Sequence, residues 1–159
     1  MFHQCHTILF VFIIGGIVRG LLVGITVTVL SLFFTDLHVH HLFIIMYSVF
    51  MTSALFSLGG FINAVFAKSF DDISIVPTFI LTPLTYLGGV FYSIDNLSPF
   101  FQSNSYLNPI VYMVNAFRYG ILGVSDVPIG FSLAMITVVT VGLYVYALKL
   151  LQSGKGMKE

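Results

Sequence analysis

The apolar positions of this chain fall into long unbroken blocks rather than alternating rows. Residues 8–34 are interrupted by charge only at Arg19, and residues 42–67, 75–92 and 131–148 carry none. A bilayer core is about 30 Å thick, so a spanning helix needs roughly 20 apolar residues. A membrane barrel strand uses only about 10, with alternating character. The blocks therefore predict an all-α, polytopic helical membrane protein with four spans. No internal repeat and no low-complexity linker divides the chain, so residues 1–159 are expected to form one domain.

The pattern changes between the third and fourth blocks. Residues 95–127 are too polar for a simple span and too aromatic for a plain loop. Ser98-Pro99 and Asn108-Pro109 each resemble an N-cap followed by proline at the first helical position. The second pair predicts a helix from Pro109 to Leu122, stopped by Gly123. Such a helix is about 21 Å long, too short to cross a bilayer. Ile110, Met113, Val114, Phe117 and Ile121 share one face, while Tyr112, Asn115 and Tyr119 lean to the other. Tyr86, Tyr92, Tyr106, Tyr112 and Tyr119 lie in or beside this region, and tyrosine favours the membrane–water boundary. Short outward re-entrant or interfacial helices before the last span are expected.

Composition supports the same class. Of 159 residues, 58% are hydrophobic and 8% charged, and mean hydropathy is +1.04. Soluble domains carry roughly 25% charged residues, so a water-facing surface cannot be built. Six Lys+Arg balance six Asp+Glu, which leaves no basic patch for nucleic acid. The lone Cys5 forms no internal disulfide. Lys149, Lys155 and Lys158 place the C-terminal tail in the cytoplasm, together with Lys68 in the loop 68–74, against one outward Arg118. An even number of spans then puts the N-terminus inside as well.

Chemistry within the spans is sparse. Gly16, Gly20, Gly24 and Thr28 recur every four residues and form a smooth stripe, echoed by Ser53, Ser57, Gly60 and Ala64. Small residues let helices approach closely, and the stripe serves either for packing or for sliding. Arg19 either snorkels to the cytoplasmic headgroups or lines a pathway. Ser74 is expected to cap a helix with Pro77 in its first turn. Pro83 removes a mid-helix donor and predicts a kink, structural or gating, with Thr78, Thr82 and Thr85 available to compensate. His38, His40 and His41 form an outward cluster with no strong metal spacing, and an ordinary polar loop accounts for them. Asp71 and Asp72 precede a helix N-terminus, where its dipole favours them or a cytoplasmic partner meets them. No phosphate-binding loop or nucleophile motif is present, so no ATP site, metal or other cofactor is expected.

Several runs carry a family likeness. They are Phe70 to Phe79, Leu81 to Ser93, Leu107-Asn108-Pro109-Ile110-Val111-Tyr112, Phe117-Arg118-Tyr119-Gly120 and Gly123, with Gly16, Arg19, Gly20 and Gly24 upstream. Together they resemble the membrane subunit of type-2 ABC exporters of the bacterial inner membrane, over nearly the whole chain. The resemblance implies a permease that pairs with a second permease copy in membrane lipid. A separate ABC ATPase carries ATP and magnesium and powers export. It also implies short outward helices before the last span. Arg19, Asn108, Pro109 and Arg118 match family positions, and with Pro83 they are the candidate pathway or gating residues. Gly16, Gly20, Gly24, Ser53, Ser57 and Gly60 are candidates for helix packing, and Lys68, Asp71 and Asp72 for contact with the ATPase. Against the family pattern the sequence lacks an amphipathic cytoplasmic helix, two spans and the coupling segment, so its spans correspond to the family's last four and a shortened chain is expected. The alternative is a truncated remnant, or a small membrane assembly or interaction protein without transport activity.

Overall fold

A computed structural model describes residues 2–35, 39–90, 96 and 98–153, with the backbone alone at 2 and 3. His38, Tyr92, Asp95, Lys155 and Lys158 lie outside the described residues. Among those described the chain is helical, without strands. Helix α1 spans Phe2–Leu32, α2 Leu42–Phe66, α3 Phe70–Ile75, α4 Thr82–Tyr86, α5 Pro99–Ser105, α6 Pro109–Leu122 and α7 Ile129–Gln152. A π-helical segment, Val76–Leu81, joins α3 to α4. Three of these helices, α1, α2 and α7, are long and apolar enough to cross a membrane.

The third predicted block is not one regular helix. Helices α3, the π segment and α4 follow one another with 6, 6 and 5 residues. Helix α4 then ends in a turn where Gly89 adopts φ +72°. Two prolines explain the break. Pro83 cannot donate to the carbonyl four residues back, and the ladder slips to an i→i−5 bond from the Thr82 N–H to the Pro77 carbonyl. The hydroxyl of Thr82 reinforces that carbonyl at 3.1 Å, and Thr85 donates to Leu81 at 2.8 Å. The expected distortion thus lies N-terminal to Pro83 as a widened turn.

Helix α3 also starts earlier than expected. Ser69, not Ser74, is the N-cap, so Pro77 falls beyond the first turn. The Ser69 hydroxyl accepts from the Asp72 N–H, and the Asp72 carboxylate accepts from the backbone N–H groups of Lys68 and Ser69. This reciprocal capping box needs a carboxylate three residues inside the helix, which a serine cap at 74 would lack.

Two apolar clusters hold the bundle. Cys5, Leu9, Leu58, Phe61, Ala147 and Leu151 join α1, α2 and α7. Leu55, Tyr112, Met113, Ala116, Val127 and Ile136 join α2, α6 and α7. The small-residue stripe works over half its length. A Cβ at Gly16 would lie 2.5 Å from Ser57 Oγ, and one at Gly20 would collide with Ser53. Ser57 also donates across the interface to the Phe12 carbonyl at 2.8 Å. Gly24 and Gly60 face open space and take no part in this packing; of the stripe glycines in α1, Gly16 and Gly20 are the ones pressed against α2.

Replacing Gly16 with Val should therefore lower stability by about 1–3 kcal/mol through overpacking, whereas Gly24→Ala, with open space around it, should not lower it and gains up to about 1 kcal/mol of helix propensity. Thermal unfolding of the two variants in detergent, followed by circular dichroism, measures the difference.

Candidate functional site

Helix α6 organises the polar residues of the bundle. Asn108 caps it, accepting from the Ile110 N–H at 3.0 Å, and Pro109 occupies the first turn. Gly123 ends it in the left-handed conformation at φ +73°. All three features follow the expectation from sequence. The Asn108 side chain, buried, also donates to the Leu84 carbonyl at 2.6 Å. It thereby ties the N-terminus of α6 to α4, one residue beyond Pro83.

Asn115 lies two turns along and is buried. Its Nδ2 donates to the Val127 carbonyl at 2.8 Å and to Ser132 Oγ at 2.9 Å. Its Oδ1 accepts from the N–H groups of Asp126 and Val127 at 2.8 and 3.3 Å. Both donors and both acceptors of the amide are used. Arg118 lies less than a turn further on. It donates to Asp126 Oδ2 at 2.8 Å and to the Gly89 carbonyl at 2.7 Å. The Asp126 side chain is only 7% exposed, so this charge-assisted pair sits in a partly dry setting. Asn115, Asp126 and Ser132 were not expected as site residues. A lone amide inside a short apolar helix, and an acid eight positions after its only arginine, were the available signals.

The C-terminal end of α6 meets α2. The N–H groups of His40 and His41 both donate to the Gly120 carbonyl, at 3.0 and 2.8 Å. The His41 ring stacks on Tyr119 with centroids 5.7 Å apart, and His40 meets Tyr119 edge-on. A Cβ at Gly120 would lie 2.5 Å from Ile45 Cγ1, so the close approach requires glycine. Among the described residues no group of His, Cys, Asp and Glu is arranged to hold a metal.

A cleft of about 860 Å³ opens between α1, α2 and α6. Val114, Phe117 and Ile121 of α6 face Val23 and Val27 of α1 across it, with Phe56 of α2 alongside. The apolar face expected for α6 is thus its cleft face, and the side bearing Tyr112 and Asn115 is buried. Asn108, Pro109 and Arg118 belong to α6 or its cap, and Pro83 is the chain neighbour of Leu84, whose carbonyl Asn108 holds. Arg19 stands apart, exposed on α1, where it lines a neighbouring cleft. Lys68 and Asp71 are exposed beside the capping box that Asp72 completes. The Lys68 backbone N–H, donating to the Asp72 carboxylate, holds its pKa below the ordinary 3.8, assisted by Ser69.

Residues 2–122 match the family model described as ABC-2 type transporter. The chain is also similar to proteins named inner membrane transport permease YadH, from Escherichia coli K12, E. coli O157:H7 and Shigella flexneri. Each is 52% identical over 154 residues, which cover 97% of this chain and 60% of the relative. No solved structure matches. The chain belongs to the ABC-2 type transporter family, as a multi-pass membrane protein. It spans about 60% of the length of the curated relatives it matches.

Two outcomes test this arrangement. Asn115→Ala strands the Val127 N–H and carbonyl, each unpaired buried group costing about 1–3 kcal/mol. The variant should unfold at clearly lower denaturant, while Asn104→Ala, on exposed α5, should match the parent within about 0.5 kcal/mol. The capping box has a pH signature of defined sign. Because the folded pKa of Asp72 is depressed, its stabilisation is complete above the ordinary value and is lost as pH falls through the lowered one. Hydrogen-exchange protection of the Lys68 and Ser69 amides should hold at pH 5 and fall below about pH 4, and Asp72→Asn should remove that dependence.

Proposed function

We propose that this chain serves as the membrane-spanning permease part of an ATP-driven ABC exporter in the bacterial inner membrane. The observation that carries the proposal is the 52% identity to inner membrane transport permeases along 97% of the chain. The cleft between α1, α2 and α6 supports it, because a translocation path needs an opening that the helices leave unfilled. ATP and magnesium belong to a separate ABC ATPase, and a second permease copy completes the path.

The finer arrangement follows from charge and length. Four crossings place both termini in the cytoplasm, with residues 75–92, the π segment and α4 among them, as the third crossing and α3 at its cytoplasmic entry. Helices α5 and α6 lie at the outer side as re-entrant or interfacial elements. The exposed Lys68 and Asp71 then face the cytoplasm, where they are available to the ATPase. Arg118 and Asn108 hold the outer end of the broken helix against α6, and with Pro83, Pro109 and Arg19 they are the pathway or gating candidates.

Affinity capture of the tagged chain from membranes co-expressing the cognate ATPase tests the proposal, with recovery of the ATPase in stoichiometric amount as the expected outcome. Its absence would favour an assembly or interaction role without transport. In a Cys5→Ala background, Ser153→Cys should be labelled by impermeant maleimide only from the cytoplasmic side, and Ser125→Cys only from outside.

A further inference from the structure

Among the described residues, Arg19 is a cation within a span that the fold leaves without an anion. Arg118 is paired with Asp126, whereas Arg19 makes no ion pair or hydrogen bond with any described residue. It lies past the middle of α1, an apolar helix that covers Phe2–Leu32. A guanidinium in hydrocarbon is costly unless it reaches water or an anion.

The surroundings of Arg19 are not flat. It lines a cleft of about 780 Å³ between α1 and α2. That cleft runs into the 860 Å³ cleft beside α6, and the two share Gly20, Val23, Thr52, Ser53 and Phe56. Joined, they follow α1 from Val11 to Thr28, about 25 Å of helix. Several hydroxyls along this groove are turned away to backbone carbonyls: Thr28 to Gly24, Ser48 to Ile44 and Ser57 to Phe12. The walls therefore present mainly hydrocarbon and ring surface. No acidic residue lines either cleft.

An apolar groove with one unpaired guanidinium in its wall fits one chemistry, an anionic head on a hydrocarbon chain. We propose that the joined clefts bind a membrane lipid of net anionic headgroup, with the head on Arg19 and an acyl chain between α1, α2 and α6. The phosphate would satisfy the guanidinium through charge-assisted hydrogen bonds, and the chain would cover Val23, Val27 and Phe117. The inference rests on the membrane-spanning reading given above and adds the class of molecule that the groove holds.

The full chain is reconstituted in phosphatidylcholine nanodiscs with an equal small fraction of either of two probes. These are photoactivatable phosphatidylglycerol and photoactivatable phosphatidylcholine, carrying the same diazirine acyl chain. Cross-links are mapped by mass spectrometry. Labelling of Val23 and Phe117 should favour phosphatidylglycerol by about fivefold, the ratio expected for ~1 kcal/mol from one basic residue. Arg19→Gln should reduce phosphatidylglycerol labelling to the phosphatidylcholine level, and Arg19→Lys should retain the preference. Equal labelling by the two probes in the parent chain, or an unchanged preference in Arg19→Gln, overturns the proposal. So does a Val23→Cys chain that forms a disulfide with a second copy while taking up no lipid label. If Arg19→Gln loses both labels, Arg19→Lys decides: a retained preference supports the site and a lost one overturns it. No nucleotide or ATPase is present, so failure here leaves the capture experiment intact, and failure of that capture leaves this one standing.

Discussion

Asn115 saturates its amide against the connection between α6 and α7, and the upper half of the bundle depends on that. The chain there must reverse direction among apolar neighbours, where backbone groups find no water. One side chain supplies two acceptor and two donor contacts to the Asp126–Val127 backbone and to Ser132. With the turn fixed, Asp126 is held where Arg118 reaches it, and Arg118 reaches onward to Gly89. Helix α7 then packs on α6 and α2 through Ile136, Met113 and Leu55. A short helix that could not stand alone in water becomes the element to which α2, α4 and α7 are tied.

The lower half of the bundle rests on shape. Gly16 and Gly20 let α1 settle onto Ser57 and Ser53, and the hydrogen bond across that seam from Ser57 to Phe12 uses a carbonyl already within a helix. Such packing is specific without being polar. It leaves the face of α1 bearing Val18, Leu22 and Ile25 exposed, as suits a helix whose solvent is hydrocarbon.

How much was legible in the sequence depends on the range of the forces involved. The limits of α6 followed from local rules, because Asn108, Pro109 and Gly123 act on their own neighbours. The Ser69 cap was local too, yet Ser74 before Pro77 competed with it, and only the reciprocal bond with Asp72 separates the two. The break in the third block was signalled by Pro83, but its placement N-terminal to that proline depends on Pro77 and Thr82 together. What stayed hidden was tertiary. Nothing in the four-residue repeat distinguishes Gly20, which meets Ser53, from Gly24, which meets nothing. Asn115 and Asp126 lie 11 positions apart in the chain, and neither residue announces the other. The family likeness in the sequence agrees with the ABC-2 match, because long runs of residues carry more information than any single contact.

The widened turn between α3 and α4 has a geometric consequence. The i→i−5 pairing inserts an extra residue into the spiral, and each residue of an α-helix advances about 100°. Helix α4 is therefore out of phase with α3 by roughly that angle. A regular helical wheel drawn through Asp72 and continued to Thr85 assigns the wrong azimuth to everything past Pro77. Thr85, which lines the cleft, lies beyond that offset. Deleting a single residue from the turn would swing it around the helix axis rather than shorten the path to it.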